Sequence, residues 1–179
     1  MKQFWQLALL AGLVAAPAAI YGQQAADPLT AALKRQFDGI ALNLKEAAEK
    51  MPEDKYTFKP SPDVRTFGQE VGHGANVQFN FCARAKGEPN PNKEDFEKPM
   101  SKDALVKAII ASNEYCASVF NGATDKSLLE VVGQGPMSGP RAAIIAQNIA
   151  HSNETYGTMV PYMRMSGIVP PSTARTQKR

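Results

Sequence analysis

Thr66-Phe-Gly-Gln-Glu-Val-Gly-His-Gly-Ala-Asn-Val-Gln-Phe-Asn-Phe-Cys-Ala-Arg-Ala-Lys86 decides how this chain is read. Thr66 with Gln69 three residues on has the form of a capping box, which opens a helix by satisfying two of its orphan N–H groups. Phe67, Val71, Phe79 and Cys82 are its expected core contacts. Glu70, His73, Asn76 and Asn80 form a polar stripe along the same helix. A helix that only packs a core spends its inward face on apolar groups, so the stripe suggests a lined pocket. The competing reading is a hydrogen-bonded histidine at the core boundary. Gly68, Gly72 and Gly74 weaken this helix, each by about 1 kcal/mol relative to Ala. That cost asks for close approach by another element or room for a ligand, or else marks an irregular helix start.

Outward from this segment, three more helices are expected. One runs from about Asp27 to Lys50, with Asp27 as N-cap, Pro28 at N1, and Leu29, Leu33, Phe37, Ile40 and Leu44 on one face. Pro60 and Pro62 force extended backbone in the link that follows. Ser101 caps a helix reaching about Phe120, with Leu105, Ile109, Cys116 and Phe120 inward. A Gly-rich loop leads to the longest helix, from about Arg141, carrying Ile144, Ile149, Tyr156, Met159, Val160 and Met163, with Pro161 inside and a Schellman stop at Gly167-Ile168. The other of the chain's 2 histidines, His151, lies here in a second polar stripe with Asn148, Ser152 and Thr155. No strand-like alternation and no internal repeat is present, and the expected class is all-α, a single four-helix bundle.

With 44% hydrophobic residues in 179, one domain can bury an adequate core unaided. The net charge of +3 is small and no Lys/Arg cluster is interleaved with aromatics, which argues against nucleic-acid binding. The apolar run from Leu7 to Ile20, after Lys2 and before small residues, reads as a secretory signal peptide over 1–22, cut after Gly22 or alternatively after Ala18 or Ala19. The other reading is an uncleaved anchor, against which Gln6 and Pro17 interrupt a stretch that barely reaches the roughly 20 residues a span needs. The bundle then occupies 23–172, and 173–179 is expected to be a disordered basic tail. Export to the periplasm or beyond leaves no membrane partner after cleavage. It also places Cys82 and Cys116 in an oxidising compartment, where a disulfide is expected, the alternative being two buried thiols. Its loop of about 35 residues would stabilise the fold by roughly 3 to 4 kcal/mol in the chain-entropy model.

If bonded, the cysteines constrain topology. Cys82 lies about 24 Å along its helix from Thr66, and Cys116 about 22 Å from Ser101. Parallel helices put them level, whereas an antiparallel hairpin offsets them by about 15 Å. A disulfide tolerates a Cα separation of less than about 7 Å. The connection 87–100 is long enough to span the bundle, so the expected order is up-down-down-up rather than up-down-up-down.

The chemistry open to these residues is limited. Two histidines with Glu70 or Glu154 would make a His/His/carboxylate metal set, although Glu154 and Thr155 compete for one role on their helix. A di-iron carboxylate bundle needs Glu-x-x-His on two helices, whereas the last helix runs His-x-x-Glu, and Glu46 and Glu114 would have to face inward by coincidence. A disulfide removes both candidate thiol nucleophiles.

The runs Met51-Pro-Glu-Asp-Lys-Tyr-Thr-Phe-Lys-Pro60, Val64-Arg-Thr-Phe-Gly-Gln-Glu-Val-Gly-His73, His151-Ser-Asn-Glu-Thr-Tyr-Gly157 and Gly167-Ile-Val-Pro-Pro171 together resemble a DinB-like protein over essentially the whole mature chain. The resemblance implies an up-down-down-up bundle, often paired as a homodimer. It also implies one divalent metal (zinc, nickel or iron) held by a His on the second helix and a His-x-x-x-His pair on the fourth. Those positions are His73, His151 and Thr155 here. A threonine binds such metals poorly, so the site is degenerate relative to the family's. The implied function is metal binding with an unknown small-molecule substrate, in the manner of a metal-dependent hydrolase or transferase. The alternative is a non-enzymatic ligand-binding or scaffold protein that has lost the metal.

Overall fold

The computed structural model describes residues 26–177, so the expected signal peptide and the last two residues of the expected tail lie outside the described residues. The described chain is mostly helical. Its long elements are α1 (Pro28–Lys50), α2 (Phe67–Lys86), α3 (Lys102–Ala117) and α5 (Arg141–Met165), with short α4 (Asp125–Leu128) and α6 (Pro171–Thr176).

The starts of α2 and α3 are capped by neighbouring side chains. The capping box of α2 is complete: Thr66 Oγ1 accepts the Gln69 N–H at 3.2 Å and Gln69 Oε1 accepts the Thr66 N–H at 2.9 Å. Ser101 Oγ accepts the Ala104 N–H at the start of α3. At α1 the expected cap is replaced. Asp27 makes no side-chain cap bond to its own helix. Instead Asp125, at the start of α4, accepts the N–H groups of Leu29 and Thr30 at 3.1 and 2.8 Å, while Asp27 accepts the Asp125 N–H at 2.8 Å. Two aspartates thus cap one another's helices across the fold.

The helix ends also follow the sequence. Gly167 takes φ 76°, and the Ile168 N–H reaches Met163 O at 2.8 Å, closing α5 as a Schellman motif. Pro161 lies inside α5. The third helix, expected to reach Phe120, tightens into a 3-10 turn over Ser118–Phe120. Between α3 and α5, where no regular structure is expected, a second capping box (Thr124 with Ser127) nucleates α4. A two-residue antiparallel ribbon then pairs β1 (Val131–Val132) with β2 (Gly139–Pro140).

The expected disordered tail gives way over its first part to α6. Pro171 presets the first helical residue. Ser172 bonds Tyr156 at 2.9 Å, and Arg175 closes on Glu46 at 2.5 Å and on Asn43.

The long helices enclose two apolar clusters. One gathers Ile40, Leu44, Tyr56, Phe67, Val71, Leu105, Ile109, Met159 and Tyr162. The other gathers Phe37, Phe120, Leu128, Ile144, Ile149 and the cystine Cys82–Cys116, whose Cα atoms lie 5.2 Å apart. Leu29, expected inward, is exposed. Buried Gln78, Ser112, Asn148, Ser152 and Thr155 occupy the level between the clusters.

Contacts advance together along α2 and α3, with Gly68 against Leu105, Gly74 against Ile109, and Cys82 bonded to Cys116. Along α1 and α3 they advance in opposite senses, since Asn113 donates to Ala41 O and Lys102 to Glu49 O.

Asp125 gives the first test. Partial burial pushes its carboxyl up, but the bonds from the Thr30 and Leu29 backbone and the Thr30 hydroxyl outweigh that and hold it below the ordinary carboxylate value. A depressed native pKa contributes stability above the unfolded value of about 3.9 and loses it as pH falls through the native one. Asp125→Asn is therefore expected to lower the melting temperature at neutral pH, with the gap from wild type closing below about pH 4. A gap unchanged down to acid unfolding would contradict this.

Candidate two-histidine site

Helices α2 and α5 pack in opposite directions, with the Tyr162 hydroxyl donating to Arg65 O at one end and Asn148 Nδ2 3.5 Å from Cys82 Sγ at the other. Between these contacts His73 and His151 meet, their Nε2 atoms 3.0 Å apart and their rings edge to face at 66°. On the far side of each ring stands a carboxylate. His73 Nδ1 donates to Glu97 Oε1 at 2.8 Å, and His151 Nδ1 lies 3.4 Å from Glu154 Oε2. An ionised carboxylate has no proton to give, so the Glu97 bond places a proton on His73 Nδ1 and turns Nε2 toward His151.

Glu97 comes from the 87–100 connection, and its position has a definite cause. A Cβ at Gly72 would sit 1.9 Å from Phe96 O, so the connection can lie on α2 only because position 72 is glycine. Asn76, one turn on, fastens it: Oδ1 accepts the Phe96 N–H at 3.3 Å and Nδ2 donates to Asp95 Oδ1 at 3.2 Å. Asp95 in turn accepts the Glu97 N–H at 3.1 Å. Asn90 and Asn92 accept backbone N–H groups two residues on, the local bonding that stiffens such a turn. Arg65 Nε then donates to Glu97 Oε2 at 2.8 Å, while Nη1 lies 3.8 Å from Glu70 Oε1.

The electrostatics follow from this network. For Glu97, burial raises the pKa, but the bonds from His73 and Arg65 outweigh it and hold the carboxyl below its ordinary value. Burial holds Glu70 above its ordinary value against the pull of Arg65. Burial, then the neighbouring His73, push His151 down.

Thr155, the third position of the expected set, is buried next to this pair, but its hydroxyl donates to His151 O of its own helix at 2.9 Å. That back-bond satisfies a helical threonine without a ligand. Its methyl faces Gly74. Of the expected stripes, Asn148 and Ser152 belong to the buried polar level and Asn80 is exposed. Glu46 is bonded to Arg175 and Glu114 is exposed, so neither joins the histidines.

A metal would find two suitable donors. Two nitrogens on a tetrahedral zinc are about 3.3 Å apart, close to the separation of the imidazoles here. A carboxylate behind a histidine is the usual support of such a ligand. No third donor is in place: among the described residues no three His, Cys, Asp or Glu side chains form a group able to hold an ion. The residues fit a two-imidazole corner and do not fit a three-ligand protein site.

The DinB superfamily model matches residues 36–159, and the chain belongs to that superfamily. Its structure is similar to that of a DinB-like protein from Bacillus cereus at a TM-score of 0.68 and 16% identity, covering 78% of this chain and 93% of that one. It is also similar to a DinB-like protein from Bacillus subtilis, at a TM-score of 0.62 and 20% identity, covering 76% and 92% respectively. At such identities the likeness is one of fold. No functionally curated protein matches the sequence.

Gly72 makes the strap testable. Gly72→Ala is expected to force the 87–100 connection off α2 and to cost about 1–3 kcal/mol of stability. Gly74→Ala meets only ordinary contacts, at 3.4 Å or more, and should be tolerated. Thermal unfolding of the two variants checks this; equal effects would contradict it.

Proposed function

We propose that this DinB superfamily member is an exported divalent-metal-binding protein whose site is reduced to the His73–His151 corner, with water in place of the third protein ligand at the Thr155 position. The observation that carries the reading is the pair of Nε2 atoms 3.0 Å apart, each ring backed at Nδ1 by a carboxylate. Zinc, nickel or iron bound there would supply Lewis acidity and an acidified water, as for a hydrolase or transferase acting on a small molecule. The reading includes an up-down-down-up bundle, supported by the direction in which the helix contacts advance and by the cystine. Export rests on the apolar run of 1–22 and the oxidised cysteines. A homodimer and the absence of nucleic-acid and membrane partners stay part of the proposal.

The second reading, a non-enzymatic ligand-binding or scaffold protein, is favoured by Thr155, whose hydroxyl is already satisfied by its own helix.

Elemental analysis of protein purified without chelator or affinity-tag metal separates the two. The first reading predicts up to about one equivalent, lost in His73→Ala, with Thr155→His binding more tightly. Metal under about a tenth of an equivalent, with no thermal shift on adding zinc or nickel, would overturn it.

A further inference from the structure

The register of three helices brings several buried polar side chains to one level of the interior. Gly74 on α2 faces both Thr155 on α5 and Ile109 on α3, and two turns on Cys82 meets Asn148 and is bonded to Cys116. Gln78 lies midway between Gly74 and Cys82 and so on the same face of α2. Ser112 holds the corresponding place on α3, between Ile109 and Cys116, and Ser152 holds it on α5, between Asn148 and Thr155. None of Gln78, Ser112, Asn148 and Ser152 is more than 3% exposed.

The hydrogen bonding at this level is incomplete. Neither amide atom of Gln78 has a hydrogen-bond partner among the described residues. Asn148 presents Nδ2 to the cystine, 3.5 Å from Cys82 Sγ and 3.7 Å from Cys116 Sγ, and its Oδ1 on the other side of the amide has no partner. Ser112 spends its proton on Ile109 O at 3.0 Å, so its oxygen can still only accept. Buried polar atoms in native proteins are almost always paired, with protein or with ordered water, because an unbonded one forfeits its solvation. Turning one amide onto the other would pair Nε2 with Oδ1 and still leave Oε1 to be satisfied. Water, with two O–H groups and two lone pairs, both donates to amide oxygens and accepts from Nε2. The serines at this level are smaller than Ile109, Cys116, Asn148 and Thr155 on either side of them, and space for a water between packed helices arises at such positions.

We infer that the interior between α2, α3 and α5 is a binding site for an ordered water that bridges the Gln78 amide to Asn148 Oδ1. It joins α2 to α5 one turn from the level at which the cystine joins α2 to α3. The site is separate from the two-histidine corner, and its test stands apart from metal binding.

Water–protein NOE and ROE spectroscopy on ¹⁵N-labelled wild-type protein reads the site directly. The Gln78 side-chain NH₂ is expected to show cross-peaks to water with the sign that marks a resident molecule rather than passing solvent. They are expected to persist in Ser112→Ala and in Ser152→Ala, which remove the hydroxyls able to relay exchange. No such cross-peak, or one lost in either serine variant, would overturn the inference. Gln78→Leu supplies a second readout, because it removes the amide at nearly constant volume and leaves the water and Asn148 Oδ1 with a partner fewer. Its melting temperature is expected to fall by about 2–6 °C. An unchanged or raised melting temperature would mark the amide as simply unbonded in the core and would overturn the inference as well.

Discussion

The site depends on how closely one stretch of backbone can approach a helix. Phe96 and Glu97 cross α2 at Gly72, where any side chain would collide with Phe96 O. That contact brings the Glu97 carboxylate within 2.8 Å of His73 Nδ1. The bond sets the orientation of the ring and aims Nε2 at α5. Arg65 holds the other carboxylate oxygen, so Glu97 is gripped from two sides and its geometry does not rely on an exposed loop keeping its own shape. Without the glycine, the stripe on α2 would hold a histidine with no fixed tautomer.

The same economy runs through the interior. In the polar level between the two apolar clusters, Ser112 and Thr155 are bonded locally, to Ile109 O and His151 O, whereas both side-chain amide atoms of Gln78 and Asn148 Oδ1 have no hydrogen-bond partner among the described residues. Asn148 sits against the cystine, which ties α2 to α3 at the level where the cluster of Phe37, Phe120 and Ile149 begins. At position 155 the threonine hydroxyl is satisfied by His151 O, so the buried residue leaves no unsatisfied group.

Much of the fold was legible because its signals are local. The capping box at Thr66, the cap at Ser101 and the stop at Gly167 act within a few residues, and the inward positions of α2, α3 and α5 follow helical spacing. The cap of α1 comes from Asp125, far along the chain, and no local pattern reports a carboxylate supplied from there. Glu97 likewise reaches His73 across 24 residues of sequence. The turn-rich run around Asn90 to Asp95 announces a connection and gives no register for it, so which of its carboxylates reaches His73 is fixed only by where the strap crosses. The glycines of α2 were the one available signal. Gly72 turned out to admit a loop rather than a helix or ligand, and Gly74 lies in ordinary contact with Thr155 and Ile109. The charge of the basic end does not by itself mean a solvated tail, since Arg175 spends its guanidinium on Glu46 and Asn43.

Glu97 fixes His73 with its proton on Nδ1 and Nε2 toward His151. Long-range ¹H–¹⁵N spectroscopy of the imidazoles in metal-free protein reads this directly. The expected result is a protonated Nδ1 at His73 in the wild type and a mixed tautomer in Glu97→Ala. A His73 protonated on Nε2 alone, or one indifferent to the loss of Glu97, would contradict it.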